Sequence, residues 1–440
     1  MRWFSHYNRF SLTSVAKSNS MYQITRLNNG LTIATAEMPH MASVSLGIWV
    51  GIGGRYEPAE ISGVSHFIEH LLFKGTKKRS AEKISQDVEG IGGYLNAFTS
   101  EENTCFYSKA RHDRFDELLD VLTDMFLNST FAPVEIDRER NVIKEELAMY
   151  RDQPQQYVQE LLNETLWPDH PLGRSLTGTE QTLDAIDRQR LLNYKQQNYI
   201  ASTSLICVAG RMQHKKVVEA VSKFGKYFKA GERLPFAPAL ANQTEPRVRL
   251  FRKNVEQTQV ALGIRTCSRH DERRYALRLL NTVLGENMSS RLFQTVREKH
   301  GLAYSIYSSP SFFADTGDLV ISAGLDTDKL PKALKLISHE LKVLGEKLVS
   351  PGELRRARDY VIGQLEMTME STEPQMMWIG EHLLGYGKIQ HPDDVKKRLN
   401  KVLPSEIRAV AREFFRPERM NLALVSPMKK DHSLLRTLVS

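Results

Sequence analysis

The reading of this chain turns on Gly63-Val64-Ser65-His66-Phe67-Ile68-Glu69-His70-Leu71-Leu72. At about 100° per residue, His66, Glu69 and His70 fall within a single arc about 100° wide. Val64, Phe67, Ile68, Leu71 and Leu72 fill the opposite side. Gly63 before the run and Gly75 after it bound one short helix of about three turns. Two His at i and i+4 can each aim a ring nitrogen at one zinc ion, at roughly 2.0–2.1 Å. A Glu one residue before the second His stands beside a water at that metal and can take its proton. The plain alternative is two solvated histidines on an amphipathic helix. With 13 His in 440 residues the spacing is uncommon by chance, and the metal reading is preferred.

The rest of the chain sets bounds. A length of 440 residues implies two or more domains with ample core. Hydrophobic residues at 41% and charged residues at 25% describe an ordinary globular protein. A formal charge of +8 is mild at this length, and no basic run with interleaved aromatics appears, so no nucleic-acid partner is expected. Cys105, Cys207 and Cys267 are odd in number and far apart, which fits a reducing compartment better than a disulfide framework. The longest uncharged apolar stretch, Val44 to Ile52, is too short to span a bilayer, so no membrane partner is expected either. Residues 1–20 carry Arg2, Arg9, Lys17 and several Ser with no acid. They read as an extension, disordered or targeting; a mitochondrial transit peptide would imply the matrix, and otherwise a cytoplasmic location is expected.

Strand-like alternation runs from Tyr22 to Leu27 and from Leu31 to Ala36, then through Val44 to Ile48. A helix is expected from Ala81 to Glu89, a hairpin from Leu95 to Ala110, and helices from Arg114 to Leu127 and Val134 to Tyr150. The same vocabulary returns in the second half of the chain at a nearly constant offset. Val260 to Ile264 echoes Val44 to Ile48, and Pro351-Gly352-Glu353-Leu354 echoes Pro133-Val134-Glu135-Ile136. Leu422 to Val425 echoes Leu205 to Val208. Steady offset and constant order indicate a tandem duplication. The expected class is α+β: two homologous α/β units, each a mostly antiparallel sheet with helices covering one face. The units span residues 21–230 and 248–440, with a Pro-bearing linker at 231–247.

The duplication supplies an internal control. In register with the repeat, His66, Glu69 and His70 meet Thr282, Gly285 and Glu286. On the helix from Val134 to Tyr150, one stripe is expected to hold Ile136, Val142, Ile143, Leu147 and Tyr150 together with Glu139 and Glu146. Glu145 should face solvent. Acids on a core-facing stripe are costly unless paired or bound to metal. In the second copy Glu139 meets Ala357 or Arg358, and Glu146 meets Gln364 or Leu365. Both acids vanish with the histidines, which favours a shared metal site in the first unit over buried salt bridges.

His66-x-x-Glu69-His70, with Glu146 well downstream on a second helix, resembles the inverted-motif zinc metallopeptidases of the pitrilysin family. That family includes insulin-degrading enzyme and the mitochondrial processing peptidase; the short bacterial processing-peptidase-like members look most similar. Phe73-Lys74-Gly75-Thr76, Leu95-Asn96-Ala97-Phe98-Thr99-Ser100, Ser290 to Gln294 and Gly301 to Ser305 extend the resemblance, which covers about residues 21 to 430. It implies one Zn2+ held by His66, His70 and Glu146, Glu69 as general base, and Glu139 as a supporting acid behind the ligands. It implies that Arg297 and Tyr304 hold the substrate backbone near the scissile bond, and that Asn96 and Ala97 lie on an edge strand that pairs with an extended, unfolded peptide. It further implies a half-clamshell completed in a homodimer, and zinc-dependent endopeptidase activity. A non-catalytic or regulatory subunit is the alternative, and it predicts lost ligands. Without the family, Arg297 reads as a cation at a helix end and Tyr304 as an ordinary strand aromatic.

Overall fold

The computed structural model describes residues 21–239, 243–429 and 434; the extension expected at residues 1–20 lies outside them. Six strands form the first sheet: β1 (Tyr22–Arg26), β2 (Thr32–Glu37), β3 (Ser43–Val50), β4 (Tyr94–Thr99), β5 (Thr104–Arg111) and β6 (Ser204–Gly210). Their order is β1-β2-β6-β3-β5-β4. Five more form the second: β7 (Arg247–Arg252), β8 (Thr258–Thr266), β9 (Ala303–Phe312), β10 (Gly317–Leu325) and β11 (Met420–Ser426), in the order β7-β11-β8-β10-β9. The second order repeats β2-β6-β3-β5-β4 strand for strand, including its one parallel pair, β2–β6 in one sheet and β7–β11 in the other. Every other pairing is antiparallel. The molecule is α+β and built twice.

Helices lie where the periodicity placed them: α1 (Val64–Leu72), α2 (Ala81–Glu89), α3 (Phe115–Asn128) and α4 (Pro133–Asp152). They bury Phe67, Ile68, Leu71, Leu118, Leu122 and Ile143 against β3 and β5, in the core of the first unit. The expected cover of one face by each unit's own helices holds, and the structure adds cover on the other face. The helix α5 (Pro154–Leu166), from the first half of the chain, lays Val158, Leu161 and Leu162 on Ala261, Ala423 and Val425 of the second sheet. The helix Thr372–Tyr386, from the second half, lays Met376 and Ile379 on Ala34, Trp49 and Cys207 of the first. Each sheet is therefore sandwiched, with its back sealed by the other half's helix. Near the linker, residues 229–239 and 243–246 carry no helix or strand.

Candidate metal centre

Three devices place α1. Gly63, its N-cap, sits at φ +95°, and a Cβ there would come within 2.7 Å of Thr177 O, so glycine is required. The buried Glu57 carboxylate accepts the Gly63 and Ser65 N–H groups at 2.7 Å each, satisfying donors that a helix start leaves open. Burial pushes Glu57 up to about 7, against the pull of those two bonds. The apolar side, Val64 to Leu72, is buried as expected. His66, Glu69 and His70 are left on the half-buried side.

On α4, Ile136, Glu139, Ile143 and Leu147 make the buried line, and Glu145 is exposed. Val142, expected on that stripe, is 45% exposed. It stands about 100° round from Ile143, and α4 contacts its neighbours along a narrower arc than the stripe assumed. Glu146 lies at the edge of that arc, facing the two histidines.

His66 Nε2 and His70 Nε2 each lie 3.7 Å from Glu146 Oε2, and the two rings stand edge to face with centroids 4.6 Å apart. One atom from each of the three residues falls within 4.8 Å of the others. These nitrogen–oxygen separations are too long for hydrogen bonds. They are near the roughly 3.4 Å that separates two ligands of one tetrahedral ion with bonds of about 2.0–2.1 Å. Burial, with His70 nearby, pushes His66 down to about 3, so its ring is neutral, the form that ligates metal. Two imidazole nitrogens and one carboxylate oxygen, partly open to solvent, are a donor set that suits Zn2+.

The surrounding contacts aim these groups. His70 Nδ1 lies 3.1 Å from Glu139 Oε2, and Lys74 Nζ lies 2.8 Å from Glu139 Oε1. Tyr150 donates its hydroxyl to Glu146 Oε1 at 2.9 Å. Burial and the Glu146 charge push that phenol up to about 12, so it stays a donor. His66 Nδ1 is buried and has no hydrogen-bond partner among the described residues. Thr99, at the end of β4, donates to Glu69 Oε2. Burial raises Glu69 while the Thr99 bond and His70 lower it. The sequence alone assigns no role to Glu57, Lys74, Thr99 or Tyr150. Lys74 and Thr99 lay inside motifs already singled out, where only a three-dimensional partner distinguishes them from their neighbours.

The other candidates lie apart from this cluster. Asn96 and Ala97 are on β4, the outer strand of the first sheet, where the Ala97 N–H donates to Asn96's own Oδ1 at 2.8 Å. Arg297 lies in a π-helical segment, Phe293–Lys299, with its guanidinium 5.7 Å from the Tyr304 ring centroid. The β9–β10 register slips between Gly324, opposite Ser305, and Leu325, opposite Ala303. Tyr304 is the extra residue, and this bulge leaves it 77% exposed. Among the described residues no hydrogen bond, ion pair or ring contact joins Arg297 or Tyr304 to the histidine cluster. A cleft of 1030 Å³ is lined by Tyr150, whose hydroxyl is on Glu146, and by Gln156, Glu160, Gln257 and Tyr307 of β9. In the second half, Glu286 occupies the place of His70 and is held by Arg278 and by Thr282 Oγ1 at 2.6 Å. An ion pair stands there in place of a ligand set.

This fold and this donor set together define a class, the two-unit zinc peptidases with an inverted His-x-x-Glu-His helix. Residues 32–180 match the family described as Insulinase (Peptidase family M16), and residues 185–361 match its partner description, Peptidase M16 inactive domain. The chain is 38% identical to the uncharacterized zinc protease YmxG of Bacillus subtilis, over 91% of this chain and 97% of the relative. It is 38% identical to the uncharacterized zinc protease SCO5738 of Streptomyces coelicolor, over 92% and 89%. Its fold matches the crystal structure of a protease from Helicobacter pylori with a TM-score of 0.87 at 22% identity, over 92% of this chain and 99% of that one. The chain belongs to the M16, or pitrilysin, family of zinc metallopeptidases. The segment matched by the inactive-domain description is the one in which Thr282 and Glu286 replace the histidines.

Proposed function

We propose that this chain is a zinc-dependent endopeptidase that cuts extended, unfolded polypeptide, with His66, His70 and Glu146 holding one Zn2+ and Glu69 as general base. The observation that carries this is the approach of one Glu146 oxygen to both Nε2 atoms at 3.7 Å, from a helix far along the chain. When bound, Zn2+ supplies Lewis-acid polarisation of the scissile carbonyl and acidifies water. Glu69 takes the proton of the attacking water and passes it to the leaving amine as the C–N bond breaks. Burial of Glu69 suits a base that must also give its proton up. Glu139 holds the His70 ring through Nδ1. The free edge of β4 at Asn96 and Ala97 takes the substrate as an added strand, reading main chain rather than side chain.

Arg297 and Tyr304 hold the substrate backbone and its developing oxyanion. Among the described residues nothing joins them to the cluster within one chain, which supports a homodimer in which they serve the partner's site. No helix among the described residues is long and apolar enough to cross a membrane. Three buried cysteines without disulfides suit a reducing, cytoplasmic location. A non-catalytic subunit is disfavoured because Glu69 and all three ligands are in place.

The test is digestion of an unstructured peptide mixture by purified protein, with and without chelator, beside Glu69→Gln. Retained zinc with abolished cleavage is expected of the variant. Cleavage unchanged by the variant, or by removing the metal, overturns the assignment.

A further inference from the structure

Glu139 is 2% exposed, and a carboxylate so buried is stable only when its charge is answered. Three carboxylates, Glu69, Glu139 and Glu146, gather around the two histidines. Among the described residues the only Lys or Arg within ion-pair distance of any of them is Lys74. Its side chain is 32% exposed, with its Nζ 2.8 Å from Glu139 Oε1, while the other oxygen of that carboxylate faces His70 Nδ1 at 3.1 Å.

The backbone holds Lys74 in place independently of the site. It follows the C-cap of α1, with its N–H on Leu71 O, and precedes Gly75 at φ +108°. The loop is pinned to the end of α3 by Thr130 N–H on Gly75 O and by a bridge from Thr76 to Ser129. The ammonium is thus delivered to Glu139 from a fixed point just beyond the helix that carries the histidines.

We propose that Lys74 is a positioning residue for metal binding. By pairing with one oxygen of Glu139 it fixes the other on His70 Nδ1, and so holds Nε2 toward the metal. This rests on the zinc reading of His66, His70 and Glu146. Without Lys74 the carboxylate has no counter-charge and is free to turn from the ring, so His70 loses its orientation.

The test uses the full chain and measures the zinc dissociation constant by competition with a chelator. Wild type is compared with Lys74→Met, Lys74→Arg, Glu139→Gln and the double variant Lys74→Met/Glu139→Gln. Melting curves confirm that each folds, and Lys74→Gln replaces the Met variant if that one does not. Glu139→Gln, which alters the direct partner of a ligand, should weaken zinc binding by about 10- to 100-fold, and Lys74→Met should lose up to as much. The double variant should be no weaker than Glu139→Gln alone, and Lys74→Arg should restore most of the affinity. Wild-type affinity in Lys74→Met, or losses that multiply in the double variant, overturns the proposal. A wild-type chain that does not bind zinc sinks the metal reading itself.

Discussion

Thr99 Oγ1 donates to Glu69 Oε2 at 2.5 Å, tying the outer strand of the first sheet to the carboxylate beside the metal cluster. The bond leaves Oε1 as the oxygen available to a water. Thr99→Val removes the donor without changing volume much and should lower kcat about tenfold, a fraction of the roughly 10²–10⁴ that a positioned base supplies. KM should change little, and Thr99→Ser should keep most of the rate. Steady-state kinetics on one peptide check this; an unchanged kcat in the Val variant would show that the bond is incidental.

Tyr304 stands out from β9 on its bulge, with the Arg297 guanidinium near its ring. Tyr304→Phe keeps that ring and loses only the hydroxyl, so under the proposed role kcat should fall about a hundredfold, the usual cost of losing an oxyanion donor. Mixing Tyr304→Phe chains with Glu69→Gln chains should regain cleavage, because in the proposed homodimer a mixed pair has one site with both parts intact. A mixture as inactive as its components argues that each chain works alone.

Gly63 is the turning point between Glu57 and α1. Gly63→Ala forces an L residue to φ +95° and sets its Cβ against Thr177 O. The expected loss of stability is about 1–3 kcal/mol, read from the denaturation midpoint. Zinc affinity should fall with it, because the helix start also sets where His66 points. A variant as stable as wild type would mean that the turn relaxes freely.

His382 lies between Trp378 and Tyr386, with its Nδ1 2.9 Å from Trp378 O, and burial lowers it to about 4. The unfolded chain takes up its proton near the ordinary value of 6.5, so between pH 6.5 and 4 the unfolded state binds more protons. Stability from this residue is complete above 6.5 and drains away as pH falls, by at most about 1.4 kcal/mol per pH unit. His382→Phe, which keeps the stacking, should flatten that part of the curve of stability against pH. Parallel curves for variant and wild type would remove His382 as a contributor.

Much of this was legible in the chain. The α1 face, the place of Glu146 on α4, most of the strands and the duplication are written in spacings of a few residues or in self-comparison; β7, whose first residue falls in the expected linker at 231–247, is not. What the sequence hid is non-local. Local sequence does not say that α5 and the helix Thr372–Tyr386 each meet the other half's sheet. Val142 misled because an apolar residue beside a narrow contact arc looks the same as one inside it. Lys74 meets Glu139 only once the chain folds, and the Tyr304 bulge exists only as a mismatch with β10.

The exchange of helices between the halves also bears on how the polypeptide is made. During synthesis β6 completes the first sheet long before the ribosome reaches Thr372, where the segment that finally roofs that sheet begins. Until then its Trp49 and Cys207 side lacks the Met376 and Ile379 cover that the finished fold gives it. The nascent first half is consequently a sticky, unfinished object. Chaperone dependence and co-translational aggregation should concentrate in that window, and cutting the gene at its midpoint should yield two fragments that are soluble only when produced together.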